Sequence, residues 1–377
     1  MRLFYLPIEA YPERYTELLR QWTVQRWGSR SDIELHVVNG DLLSSGIGVG
    51  QVLDAFGRTY WSTTQIAALV RLLRDVGATS SDVIYFDDLF TPGYEAVPYI
   101  LDQLPVEARP RIFARNHAQS VDPNDFVFPM RRWMRRYEEL VYRTAAGVIC
   151  ASTVHAEMME AALLDTTAIH VLGLPYDTVD VRARGPQVVA PCSSRPLKVV
   201  YSSRLDAEKC PHFFMDVVEA ALLRRPGIDF VVCTGAAKLR SNDPTALVRL
   251  HSLAAARAIR VAVSQTKPTY YTELATARVQ LNTAKQDFIS YTAIEASTFG
   301  TPTLAPAFRS FPETLRNRSA QLYAPWCVDE AVNKLLSLLD GSAEGTDVEW
   351  LARVQHQTLD RILAVFRDEP VPAWASQ

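Results

Sequence analysis

The chain has 377 residues, 48% of them apolar and 21% charged, which is enough apolar material for about two or three packed domains and excludes a disordered or fibrous protein. A formal net charge of -3 gives no global pull on a polyanion, so any nucleic-acid partner has to be met by a local basic patch. No apolar run reaches the roughly 18 residues of a membrane span, and the opening Met1–Arg14 lacks the basic, apolar and small-residue order of a secretory leader, so a cytoplasmic protein is expected.

From the first residues onward, short β-rich apolar runs alternate with longer helical patterns. This is the mark of parallel βαβ units covered by helices on both faces, so the fold class is α/β. Strands are expected at Leu3–Ile8, Ile33–Val38, Val83–Phe86, Arg111–Ala114, Val148–Ala151 and Ile169–Leu172, with helices such as Thr63–Arg74 and Phe128–Ala145 between them. The stretch from Arg182 to Pro196 is rich in Pro, Ser and Arg, shows neither period, and reads as a linker.

A second series follows at once. Its expected elements are strand Leu197–Ser202, helix Pro211–Arg224, strand Phe230–Thr234, helix Thr245–Ala256, strand Ile259–Val263, helix Thr269–Ala277, strand Val279–Thr283 and helix Tyr291–Thr298. Apolar residues from Trp350 to Phe366 have helical spacing, suited to a helix packing back across the domains. The division is therefore 1–185, 186–345 and a tail of 346–377. Ligands of open parallel sheets bind beyond the carboxyl ends of the strands, so two Rossmann-like parallel-sheet domains are expected to face a central cleft. The five cysteines are scattered without a CxxC pair, which supports neither a disulfide framework nor a metal site.

Three features of the second series converge on a diphosphate. Tyr201–His212 places Arg204 and Lys209 between a strand exit and a helix opened by Pro211, where a planar fork and a compact ammonium suit a phosphate pair. Leu281–Glu295 runs from a strand through a polar loop into a helix whose first N–H groups, around Ser290, Tyr291 and Thr292, favour an anion. Glu295 lies one turn inside, where a carboxylate can accept from ribose hydroxyls. Phe299–Pro306 ends that helix on Gly300 and enters a short strand.

These segments resemble the donor half of retaining glycosyltransferases of the GT-B fold, above all the large family four. Arg204 and Lys209 keep that family's Arg-x4-Lys spacing, and Asp287 and Glu295 keep its acidic-x7-Glu spacing before Ala296–Pro302. The likeness implies a nucleotide-diphosphate sugar, a UDP-sugar above all, as donor substrate, with no tightly bound cofactor and no metal. It also implies Arg204, Lys209, Asp287 and His117 as catalytic residues, with Asp287 on the sugar and Glu295 on the ribose. Ser203 stands where the family has Gly, Phe288 and Ser290 depart from its Glu-Gly-Phe-Gly wording, and the Gly-Gly loop after the first strand is missing.

The first half is less specific. Pro7–Thr16, Gly50–Tyr60 and Ala307–Glu313 resemble a group of phage-encoded glycosyltransferases, which implies a hydroxymethylated pyrimidine in double-stranded DNA as acceptor. Arg109, Arg111, Arg115, Arg131, Arg132, Arg135, Arg136 and Arg143 are interleaved with Phe126, Phe128, Trp133, Tyr137 and Tyr142. Arginines can pair with phosphates while aromatic faces hold an extruded base. The alternative is an amphipathic helix with its aromatic side chains in the core and its arginines on Glu138, Glu139 and solvent. His117, Asp87 and Asp88 follow strand exits, so candidate acceptor contacts are Arg14, Asp87, Asp88, Arg115, His117, Arg131, Arg132 and Trp133. Gly46, Gly48 and Gly50 form a turn too unspecific for a phosphate loop. Transfer to tRNA queuosine or a lipid-linked glycan, a sugar-nucleotide epimerase, and a non-catalytic nucleic-acid-binding module are the alternatives.

Overall fold

The computed structural model describes residues 1–11, 15–43, 54–125, 127–163, 168–285, 287–341 and 347–371. They form two compact units, one of Met1–Pro175 with the segment from Thr358, the other of Tyr176–Gln357.

In the first unit the order is β1 (Arg2–Leu6), α1 (Tyr15–Gly28), β2 (Glu34–Val37), α2 (Ala55–Val76), β3 (Val83–Phe86), α3 (Ala96–Asp102), β4 (Arg111–Arg115), α4 (Arg131–Thr144), β5 (Gly147–Cys150), α5 (Thr153–Ala162) and β6 (Ala168–Val171). The strands are all parallel, in the order β2-β1-β3-β4-β5-β6. Central β3, Val-Ile-Tyr-Phe, is buried at every position, as a strand covered on both faces must be, whereas edge strands β2 and β6 are only half-buried. β1 stops before Pro7, which has no N–H for a ladder.

Two helix starts differ from the sequence-based expectation. α2 begins upstream of Thr63, where the Asp54 carboxylate accepts from the Phe56 N–H at 3.2 Å. α4 begins at Arg131, because the Pro129 region forms a 3-10 turn over Phe128–Met130.

The second unit runs α6 (Thr178–Arg184), β7 (Lys198–Tyr201), α7 (Pro211–Arg224), β8 (Asp229–Cys233), α8 (Pro244–Ala255), β9 (Arg260–Ala262), α9 (Lys267–Thr276), β10 (Val279–Leu281), α10 (Tyr291–Thr298), β11 (Thr303–Pro306), α11 (Phe311–Thr314), β12 (Leu322–Tyr323), α12 (Val328–Leu339) and α13 (Trp350–His356). Its parallel sheet is ordered β12-β11-β10-β7-β8-β9, the Rossmann arrangement. Val199, Tyr201, Phe214, Val218, Phe230, Leu281 and Leu335 form its core.

The expected linker begins inside α6, a helix that Asp177 caps by accepting from Val179 and Asp180, so Arg182–Arg184 are helical. The tail is not one helix. α13 belongs to the second unit, while α14 (Thr358–Phe366) packs in the first, with Phe366 4.8 Å from the Phe113 ring and the Trp27 indole donating to the Leu359 carbonyl at 3.2 Å. Among the described residues, no helix is long and apolar enough to cross a membrane, and no cluster of His, Cys, Asp and Glu could hold a metal ion.

Candidate functional site

In the second sheet the strand order reverses between β7 and β10, so the loops after these strands leave in opposite directions and open a crevice at the carboxyl edge. Both motifs singled out from the sequence lie on those two loops. Backbone contacts tie them together: the Lys285 N–H donates to the Glu208 carbonyl at 2.7 Å, and the Thr283 hydroxyl to the Lys209 carbonyl at 2.6 Å. Lys209 closes a 3-10 turn, Cys210 takes a left-handed φ of 49°, and Pro211 opens α7. This reversal sends the Lys209 side chain into a buried position, 8% exposed.

The structure brings Lys209 and Asp287 together, with Nζ 3.7 Å from the Asp287 carboxylate. The Ser310 hydroxyl, which follows β11, donates to the Asp287 carbonyl at 2.6 Å and fixes the loop from the other side. Glu295 is buried one turn inside α10, where the Lys267 ammonium donates to it at 2.7 Å and the Tyr271 hydroxyl lies at 3.4 Å. Ser290 and Thr292 have hydroxyls 2.9 Å apart; the Asn282 amide donates to Ser290 at 3.1 Å and the Gln280 amide to Thr292 at 3.3 Å. Ser290 is the residue before α10 and caps it with no side-chain bond, and Tyr291, partly exposed, is the first residue of the helix.

Arg204 lies differently from Lys209. Its guanidinium is exposed and paired within its own loop, 3.0 Å from Asp206 and 2.6 Å from Glu208. Across Ser202–Cys210 and Asn282–Ser290, Arg204, Lys209 and Lys285 are balanced by Asp206, Glu208 and Asp287. The strand exit therefore carries no net positive charge, contrary to the simple picture of two unopposed cations.

The carboxyl edge of the first unit is closed by buried pairs. Asp87 accepts from the Tyr5 hydroxyl at 2.8 Å, the Tyr85 hydroxyl at 3.0 Å and Arg115 Nε at 3.2 Å, and Arg115 also donates to the Gly173 carbonyl at 3.1 Å. Both are 1% exposed. Burial raises the pKa of Asp87 despite the Arg115 charge. Asp88 receives Arg58 Nη2 at 2.8 Å and the Phe90 N–H at 3.1 Å, and Arg58 reaches Glu9 as well. Burial pushes the Asp88 carboxyl up to about 6, against the Arg58 charge.

His117 Nε2 donates to the Asp87 carbonyl at 2.8 Å, and burial, helped by the Arg115 charge, pulls its pKa down to about 3. The imidazole is neutral near pH 7, with Nδ1 left as an acceptor.

The eight arginines that cluster in the sequence do not form one surface. Arg109 donates to the Leu104 carbonyl at 2.8 Å, Arg111 pairs with Asp368 at 2.7 Å at the amino end of β4, and Arg115 is buried. Arg136 pairs with Glu139 at 2.7 Å, whereas Glu138 is buried and accepts from the Ser120 N–H at 2.7 Å, not from an arginine. Tyr142 enters the core, and Trp133 stays 48% exposed, 5.7 Å from the Phe90 ring. Arg131, over the Phe128 ring at 4.3 Å, and Arg132 are exposed beside it at the start of α4. Arg14, Phe126 and the glycines 46, 48 and 50 lie outside the described residues.

Sequence reasoning missed Lys267, Lys285, Arg58 and Glu9. For Lys267 a signal existed: Thr266-Lys-Pro268 is a cap followed by proline in the first turn, which starts α9 two residues before the expected Thr269.

No protein-family model matches the chain, and no curated protein sequence matches it. Solved structures do. A sucrose-phosphate synthase from Thermosynechococcus elongatus aligns over 97% of this chain and 98% of its own, with a TM-score of 0.68 and 14% identity. The trehalose-6-phosphate synthase OtsA aligns over 99% and 100%, at 0.63 and 12%. HepE from Anabaena, solved in complex with UDP and glucose, aligns over 98% and 100%, at 0.63 and 13%. At such identities the likeness speaks for fold. With two six-stranded parallel sheets and the Rossmann strand order of the second, the chain has the GT-B fold of these glycosyltransferases.

Proposed function

We propose that the chain transfers a sugar from a nucleotide-diphosphate donor, a UDP-sugar, to a hydroxyl group with retention at the anomeric carbon, in the cytoplasm. The observation that carries this is the meeting of Lys209 and Asp287 at the switch point of the second sheet, with Glu295 one turn inside the adjoining helix. UDP is also the nucleotide bound in the Anabaena structure, together with glucose.

As the sugar–phosphate bond breaks, negative charge builds on the leaving diphosphate. Lys209 and the amino end of α10 stabilise it. Arg204, its guanidinium 48% exposed, joins them by exchanging its contacts with Asp206 and Glu208 for phosphate. Asp287 accepts from sugar hydroxyls and Glu295 from the ribose. His117, neutral at physiological pH, offers Nδ1 as an acceptor. The leaving phosphate takes the acceptor's proton on the same face of the sugar, which gives retention.

For the acceptor we propose a hydroxymethylated pyrimidine in DNA. Arg131, Arg132 and Trp133 support it: two exposed guanidiniums and an exposed indole at the carboxyl edge of the first sheet, suited to phosphate and base contact. Asp88 and Trp133 would contact the base directly, while Asp87 and Arg115, both buried, would hold His117 in place. Incubating the protein with hydroxymethylpyrimidine DNA and a mixture of sugar nucleotides, then weighing the nucleosides by mass spectrometry, tests this. A hexose mass added to the pyrimidine supports it; unmodified DNA beside sugar transferred to tRNA or lipid extract refutes the DNA acceptor but not the transferase.

A further inference from the structure

Lys267 belongs to no motif in the sequence, yet it ends beside the residue placed at the ribose. It is the first residue of α9, after β9, and its ammonium crosses to Glu295 on α10. The nitrogen lies 2.7 Å from the Glu295 carboxylate and 5.4 Å from the ring centres of both Tyr270 and Tyr271. A cation between a carboxylate and two aromatic faces is held without being sealed away, and Lys267 keeps 26% of its side chain exposed against 8% for Glu295. Around it, the Tyr270 hydroxyl faces Glu295 and Ser202 without meeting either at hydrogen-bonding geometry, and the Ser202 hydroxyl is likewise sealed from solvent with no partner. Ser202 directly follows β7 at the switch point.

A buried carboxylate with no partner is costly, and a fixed ammonium gives it one and holds its direction. Lys267 and the Tyr271 hydroxyl both meet Oε1 of Glu295, which leaves Oε2 to accept.

We propose that Lys267 is a positioning residue for the nucleoside end of the donor: it holds the Glu295 carboxylate in place, so that the carboxylate accepts from the ribose 2′- and 3′-hydroxyls while Ser202 and Tyr270 close the corner around the sugar ring. This rests on the proposed nucleotide site at the second switch point.

The test is a titration by calorimetry of the full chain with UDP and with 2′-deoxy-UDP. Wild type is expected to bind UDP about tenfold or more tighter than the deoxy ligand, the value of a hydrogen bond to a charged group. Lys267→Met is expected to weaken UDP by about tenfold and to reduce the discrimination toward unity, with its circular dichroism unchanged, while Lys267→Arg restores both. A merely structural lysine would not alter the ratio. Lys267→Met with wild-type affinity and wild-type discrimination overturns the positioning role and leaves the nucleotide site intact. Wild type that binds neither ligand overturns the nucleotide site and this role together. Should Lys267→Met fail to fold, Lys267→Gln carries the same comparison.

Discussion

Both sheets present charged residues at their carboxyl edges but commit them differently. At the first edge Arg115 is 1% exposed and its partners are all protein: Asp87, Tyr85 and the Gly173 carbonyl. Arg58 is similarly consumed by Glu9 and Asp88. At the second edge the pair of Lys209 with Asp287 is long, 3.7 Å, and the Arg204 guanidinium is 48% exposed. The lesson is that a cation at a strand exit does not announce a ligand.

If that contrast is right, the Arg115–Asp87 pair governs folding and Lys209 governs turnover. Arg115→Met should be the most damaging change: it leaves the buried Asp87 without its cation, a loss of about 3–5 kcal/mol, or about 10²- to 10⁴-fold in the folding equilibrium. Urea unfolding followed by circular dichroism measures it, and a midpoint equal to wild type would break the comparison at its first edge. Lys209→Ala should unfold like wild type yet lower turnover by about 10²–10³, read as UDP released from the donor, the scale of one preorganised charge-stabilising donor. A destabilised but active variant would reverse the assignment.

Glu295→Gln keeps the shape and removes the charge. It is expected to weaken UDP binding by about ten- to a hundredfold with a smaller change in turnover at saturating donor, measured by calorimetry and initial rates. Equal affinity would take the ribose away from Glu295.

The smallest effect concerns pH. With a native pKa of about 3 against 6.5, His117 takes up its proton in the unfolded chain first, so its contribution is full above pH 6.5 and is lost as the pH falls from 6.5 toward 3. His155, also pulled down to about 3 by burial, has the same sign. Asp88 and Asp125, pushed up to about 6 and about 7 by burial, have the opposite one, since the native state binds their protons more tightly. Only the difference between His117→Asn and wild type isolates the imidazole. The variant's stability should fall less steeply over that window, by at most about 1.4 kcal/mol per pH unit, and parallel curves would contradict the burial of His117.

The α/β class and most strands were legible because a parallel strand buried on both faces is a continuous apolar run, as in Val83–Phe86. Helix ends were less so, because caps such as Asp54 act several residues away from the apolar pattern. α1 was missed: Thr16, Leu18, Leu19, Trp22, Thr23 and Trp27 are its buried residues, and four of these six are aromatic or β-branched, types that weaken a helical signature. The donor motifs could be read because each lies on one loop beside one strand. The pairs Lys267–Glu295 and Arg58–Glu9 could not, since 28 and 49 residues separate the partners and only the strand order brings them together. The eight clustered arginines misled for the same reason, as β4 and α4 carry them to opposite ends of the sheet and into the core.

A crystal structure with UDP bound tests the central claim most directly. The diphosphate should sit at the carboxyl edge between β7 and β10, with its oxygens about 2.7–3.2 Å from Lys209 Nζ, Arg204 turned away from Asp206 and Glu208 toward it, and the ribose on Glu295. UDP found at the first sheet's edge, or bound with no diphosphate oxygen in reach of Lys209 Nζ, would contradict it.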